Sequence, residues 1–240
     1  MLAARYKCLI LDHDDTAVDS TPTIHYPAFL KVLETFRPGL TISLDTWLEK
    51  NFSPGFMEYV TGELAFTPRE MEEELEIWRE FTRSRTPSFF EGFLDILEQF
   101  QKEGGIITVV SHSEVPMIER DYEAAGAGHL PQRIFGWDRD KNKRKPHPWP
   151  VEQILKEFNL EPEEVLIVDD LYPAIEMGRA AGVAVAGAGW SHSVPLIRKT
   201  MEAEGDWYFT SLAQWRDWLF SPSNDRNNKV LKKKVNHENS

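Results

Sequence analysis

Along the chain, short and nearly continuous apolar runs alternate with stretches in which apolar residues recur at helical spacing. The runs are YKCLIL (6–11), IITVV (106–110), VLIV (165–168) and VAVAG (183–187). They are rich in β-branched residues and lack polar alternation, which predicts strands buried on both faces, as in a parallel sheet. Between them lie the helical patterns FLDILEQFQKEGG (93–105), VPMIERDYEAAG (115–126), VEQILKEFNL (151–160) and AIEMGRAAG (174–182). The order is βαβα, so the predicted class is α/β with helices on both faces of the sheet. No repeat of fixed period is present, which argues against a solenoid.

Residues 17–88 break the alternation, with helical signals and no convincing strand run. They predict an inserted helical segment, with the main domain formed by residues 1–16 and 89–221. One helix start is well specified: Thr67 as N-cap, Pro68 at the first helical position and Glu70 at the third. Met71, Leu75, Trp78 and Phe81 follow at helical spacing and form the expected buried stripe. Residues 222–240 are polar and locally basic, including Lys232, Lys233 and Lys234, and read as a flexible, solvated tail.

Composition narrows the partners. A chain of 240 residues, 41% apolar and 12% aromatic, can bury a sizeable core. Its formal charge of -12 and the lack of a long basic face argue against nucleic acid or an anionic membrane as partner, so a small ligand is expected. The single cysteine, Cys8, offers neither a disulfide framework nor a cysteine-based zinc site, which suits the cytoplasm. No signal-like or membrane-spanning run is apparent. A monomer or homodimer is expected.

In an open α/β sheet, ligands collect beyond the carboxyl ends of the strands. The residues there are Asp12 and Asp14, Ser111, and Asp169 with Asp170; a basic loop, DRDKNKRKPHPWP (138–150), supplies Lys145. The segment LDHDDTAVDS (11–20) alone carries four aspartates, whose mutual repulsion needs compensation or use. Asp12 and Asp14 are two positions apart, so extended backbone puts both side chains on one side. One can attack phosphorus to form an acyl phosphate while the other handles protons. Mg²⁺ takes hard oxygen ligands, which Asp12 and Asp170 would provide, and Ser111 and Lys145 would donate to phosphoryl oxygens. His13 should face away from the aspartate pair and pack, His112 is a candidate phosphate donor, and His192 reads as a surface-loop residue. Arg139, Lys141, Lys143 and Arg144 read as solvated.

These motifs, in this order, resemble the haloacid dehalogenase (HAD) superfamily, in the branch of phosphoglycolate phosphatase and β-phosphoglucomutase. DHDDT (12–16) matches its D-x-D-x-T, Ser111 in IITVVSHS its second motif, Lys145 in KPHP its third, and the acidic pair in VLIVDDLYPAIEMGRAAGV its fourth. The resemblance implies a Rossmann-like parallel core with an inserted all-helical cap domain over residues 17–88. It implies Asp12 as nucleophile, Asp14 as general acid and base with its backbone carbonyl on Mg²⁺, Asp170 as direct ligand, and Asp169 as second ligand or partner of Lys145. Ala174 stands where many members carry a further acidic residue, and Arg144 where many carry Gly. The implied activity is Mg²⁺-dependent hydrolysis of a small phosphorylated metabolite, resembling phosphoglycolate or a sugar phosphate, through an aspartyl phosphate. The alternative is a phosphomutase on the same residues. A haloacid dehalogenase would need neither Asp14 nor the acidic pair, and a phospho-receiver module would place the pair first and the phosphorylated Asp later. Asp15 and Asp19 are expected to serve local turns. His25, Lys50, Arg83 and Arg85 could reach a leaving group, although each reads first as a surface residue.

Overall fold

The computed structural model describes residues 4–221, so the basic tail expected at 222–240 lies outside the described residues. Six parallel strands form the sheet: β1 (Cys8–Leu11), β2 (Ile106–Val110), β3 (Arg133–Phe135), β4 (Val165–Asp169), β5 (Ala184–Ala188) and β6 (Trp207–Phe209). Their order is β3-β2-β1-β4-β5-β6, every pair parallel. Four of them coincide with the apolar runs. The edge strands β3 and β6 are additional; at three residues each, RIF and WYF, they are too short to give a run in the sequence.

The chain leaves β1 through a tight turn and enters helices α1 (Tyr26–Phe36), α2 (Leu44–Lys50), α3 (Phe56–Glu58) and α4 (Pro68–Ser84). It then returns through α5 (Phe93–Lys102) to β2, and continues with α6 (Val115–Ala124), α7 (Trp149–Phe158), α8 (Tyr172–Ala181), α9 (Pro195–Glu204) and α10 (Leu212–Leu219). α4 begins as its sequence specifies: Thr67 accepts from the Glu70 amide while the Glu70 carboxylate accepts from the Thr67 amide. Its stripe differs from the expected one. The fully buried positions are Glu74 and Thr82, with Met71, Leu75, Trp78 and Phe81 half-buried, because the helix turns an edge of that stripe toward its neighbours.

Strand side chains alternate between two faces. Cys8 and Ile10 of β1 share a cluster with Val151 and Ile154 of α7, Ile175 of α8 and Ile197 of α9. Leu9 and Leu11 point the other way, against Phe93 and Leu97 of α5, Ile118 of α6 and Trp215 of α10. Each fully buried aliphatic or aromatic side chain contributes about 1.5–3 kcal/mol. Gly178 lets α8 lie close on β5, since an added Cβ would collide with Val185 and lie 2.9 Å from the Val183 carbonyl.

The register fixes what meets at the carboxyl end. Leu11 pairs with Val168 on β4 and with Val109 on β2. Asp12 therefore leaves the sheet beside Asp169, its amide still bonded to the Val168 carbonyl at 2.9 Å, with Ser111 just past β2 on the other side. β1 and β4 are also where the strand order reverses direction, the usual place for a crevice.

Candidate active site

Asp12, Asp169 and Asp170 come together with one oxygen of each within 4.8 Å of the others. All three are nearly inaccessible, at 6%, 1% and 3% exposure. Lys145, itself buried, sits among them: Nζ bonds Asp169 Oδ2 at 2.7 Å and lies 2.9 Å from Asp12 Oδ1. The second contact is short but misaligned, so Asp12 Oδ1 has no hydrogen-bond partner. The other Asp169 oxygen accepts from the Leu171 amide at 2.9 Å, and Asp170 Oδ1 accepts from the Thr16 hydroxyl at 3.4 Å.

Three carboxylates against one ammonium leave negative charge where desolvation is costly. Burial, and then Asp12, push the Asp169 and Asp170 carboxyls well above their ordinary range, despite the counteracting charge of Lys145. Lys145 is held firmly as a cation, its pKa raised above the ordinary lysine value: burial opposes its charge, but Asp12 and Asp169 outweigh burial. An orphaned Asp12 oxygen within a cluster of hard oxygens fits a divalent cation, for which these donors are suited.

Asp14 lies on the same turn and is held differently. Oδ1 accepts from Ser20 Oγ at 2.8 Å and from His25 Nε2 at 2.9 Å; Oδ2 accepts from Ser113 Oγ at 2.5 Å. Burial would raise its pKa, but His25, His13 and the Ser113 hydroxyl outweigh burial and hold it well below the carboxylate range. His25 Nδ1 in turn accepts from the indole Nε1 of Trp78 at 3.0 Å. An indole only donates, so this contact assigns the Nε2–H tautomer to His25. The aspartate thus carries a hydrogen-bonded chain from the strand end to α4.

The remaining expected residues divide clearly. Ser111 is buried, and its Oγ accepts from the Ser113 amide at 3.1 Å, leaving its proton free to donate. His112 turns Nε2 to the Lys145 carbonyl at 3.1 Å, so that nitrogen supports the lysine loop. His13 is buried, with its Nε2 3.0 Å from Asp121 Oδ2, the packing role expected of it. Asp15 has a positive φ of 55° and accepts from the Thr21 amide at 3.0 Å, a turn role. The Asp19 carbonyl accepts from the Thr23 hydroxyl at 2.7 Å, a turn role, while its amide bonds the Ser88 carbonyl. Lys50 is committed to Glu63, and Arg85 stacks on Phe81.

Two surface readings are corrected; His25, the first, has a side chain only 12% exposed and bonds Asp14. His192 is not a surface residue: its side chain is 7% exposed and its Nε2 lies 3.7 Å from Asp170 Oδ2. With Ser191 it lines a cavity of about 190 Å³ that also touches Asp15 and the helical segment at Thr21, Asp45 and Leu48. A larger groove of about 600 Å³ along α4 shares no lining residue with it. Sequence reasoning also passes over Ser113, Ser20 and Trp78, whose roles arise only from tertiary placement. His192 had one available signal, its position four residues beyond the end of β5, at the same sheet end as the aspartates.

Comparison with known proteins gives the family. Residues 9–188 match the family described as haloacid dehalogenase-like hydrolase. A phosphoglycolate phosphatase of Haemophilus influenzae is 31% identical over 122 residues, which are 50% of this chain and 52% of the relative; the chain thus spans about half the length of that protein. Pyrophosphatase PpaX of Listeria welshimeri is 24% identical over 81% of this chain and 88% of its own. In fold, the crystal structure of a haloacid dehalogenase-like hydrolase from Bacteroides fragilis superposes with a TM-score of 0.72, covering 88% of this chain and 99% of the other at 21% identity. With the match spanning β1 to β5 and thus the strand ends that carry the carboxylates, the chain belongs to the haloacid dehalogenase-like hydrolase family.

Proposed function

We propose that the protein is a divalent-metal-dependent phosphatase, with Mg²⁺ as the natural ion, acting on a small phosphorylated metabolite in the cytoplasm. The observation that carries this reading is the meeting of Asp12, Asp169, Asp170 and Lys145 at the strand-order reversal, with Asp14 bonded separately on the same turn. Asp12 and Asp170, with the Asp14 carbonyl, would hold the cation, and Asp169 would serve it or Lys145. When bound, the ion neutralises carboxylate and phosphate charge so that the anions can approach.

Asp12 attacks the phosphorus and the alcohol leaves, giving an aspartyl phosphate; water then attacks that phosphorus, and phosphate and free Asp12 result. Ser111 and Lys145 donate to the phosphoryl oxygens, where charge concentrates. Asp14 gives a proton to the departing oxygen and takes one from the attacking water. Its bonds to His25, Ser20 and Ser113 hold it ionised, the form that accepts the water's proton; acting as an acid requires this cluster to loosen as substrate enters. Residues 17–88 act as a cap that closes over the site and excludes water.

A panel of metabolite phosphates, assayed with Mg²⁺ and with a chelator, tests this. Wild type should turn over at least one ester only with metal, Asp12→Asn should lose about a thousandfold or more, and Asp14→Asn a comparable amount. Normal turnover by Asp12→Asn would overturn the mechanism. Recovery of an isomeric phosphate ester in place of inorganic phosphate would show a phosphomutase.

A further inference from the structure

The cavity beside Asp170 has a composition that discriminates between leaving groups. Asp15, Ser191 and His192 line it together with Thr21, Asp45 and Leu48 of the helical segment. The Ser191 hydroxyl and both ring nitrogens of His192 are buried without hydrogen-bond partners. Buried polar groups in folded proteins are paired as a rule, so these three atoms in its lining mark a place where something else supplies the partners. Asp15 and Asp45 add carboxylate acceptors, and among the described residues no lysine or arginine lines the cavity.

Four cations of the site and the helical segment are engaged elsewhere. Lys145 is enclosed by Asp12 and Asp169, Lys50 bonds Glu63, Arg37 bonds Glu70, and Arg79 bonds Glu76 and Glu114. An anionic group in this cavity would leave water for a lining that holds the acidic residues Asp15 and Asp45 and no lysine or arginine to pair with it. A group carrying O–H or N–H donors meets carboxylate acceptors, and its own oxygens meet Ser191 and His192.

We infer that this cavity receives the leaving group of the phosphate ester, and that the group is uncharged or cationic and rich in hydrogen-bond donors. The substrate class is then a polyol, sugar or amino-alcohol phosphate, not an ester whose leaving group bears a second carboxylate or phosphate. The volume equals that of about six liquid waters, room for a short chain or a single ring. The inference rests on phosphoester hydrolysis at Asp12. It also sets this chain apart from the leaving groups named for the relatives above, glycolate and phosphate, both of them anions.

The test compares kcat/KM at fixed Mg²⁺ for glycerol phosphate, a hexitol phosphate, phosphoethanolamine, phosphoglycolate, pyrophosphate and para-nitrophenyl phosphate. The best of the first three should exceed both phosphoglycolate and pyrophosphate by about tenfold or more. Whether glycerol phosphate and hexitol phosphate or phosphoethanolamine leads identifies hydroxyls or an amine as the recognised donors. Asp45 is exposed in the first turn of α2, where a substitution leaves the core intact. Asp45→Lys should shift the ratio toward phosphoglycolate by on the order of fivefold. If para-nitrophenyl phosphate is hydrolysed but phosphoglycolate or pyrophosphate is the best metabolite, or if Asp45→Lys leaves the ratio unchanged, the inference fails and the phosphatase reading stands. If no ester is hydrolysed, both fail.

Discussion

Lys145 shows how much one side chain carries here. It is the single ammonium within a group of three buried carboxylates, bonded to Asp169 and 2.9 Å from Asp12. Removing one partner from a buried ionic group leaves uncompensated charge, with a typical cost of about 3–5 kcal/mol. Lys145→Met should therefore lower the urea unfolding midpoint of the metal-free protein by an amount corresponding to about 3 kcal/mol, and added Mg²⁺ should recover part of it. A midpoint equal to wild type would show that the lysine does not balance the cluster. At this scale the sequence was informative wherever chemistry follows directly on a strand end: Asp12, Asp14, Ser111, Asp169 and Asp170 all lie within three residues of an apolar run. It was uninformative where a partner arrives from a distant element. The bond from His25 to Asp14 and the burial of His192 depend on how the helical segment and the loop after β5 lie over the sheet, and neither WSHS nor TIHY carries a periodic signal of that placement.

Among the elements, α4 is the most instructive. Its start was legible to the residue, because a capping box satisfies specific orphan amides. Its buried face was not, because half-buried stripes can rotate by part of a turn when neighbours are polar as well as apolar. The consequence is Glu74, 9% exposed, whose carboxyl burial pushes up to about 7 from an ordinary 4.5. Because the folded value is raised, the folded state holds a proton that the unfolded chain releases earlier. Relative to an unperturbed glutamate, stability is retained in full below about 4.5 and lost as pH rises through about 7. Glu74→Gln should therefore stabilise the protein at pH values above that range by about 2 kcal/mol and have little effect well below it. Denaturant melts across pH would show this as a gap between the two proteins that opens as pH rises; a constant gap would contradict it. The short strands β3 and β6 were missed for a different reason. Three residues of edge strand bury too little to leave a pattern, and they are defined by pairing to β2 and β5.

For the whole molecule, the alternation of buried runs and amphipathic helices was enough to give a parallel α/β sheet, since only that architecture buries both faces of such strands. Cys8 reports on its integrity. It is 0% exposed in the central strand, and burial pushes its thiol up to about 12 against a smaller opposing effect of its contact with Thr108. The native protein should resist alkylation, with labelling tracking global unfolding in denaturant; rapid labelling under native conditions would mean that β1 opens locally. Among the described residues no helix is long and apolar enough to cross a membrane. What joins sheet, helical segment and site into one account is the proposed covalent step at Asp12. It is most directly tested by mixing Asp14→Asn with Mg²⁺ and para-nitrophenyl phosphate, whose leaving group needs no acid, then quenching in acid and mapping the protein by mass spectrometry. The account predicts one added phosphoryl mass on Asp12, because the variant can be phosphorylated but cannot activate water. Phosphate release by the wild type, with the label absent from Asp12 or found on another residue, would contradict it.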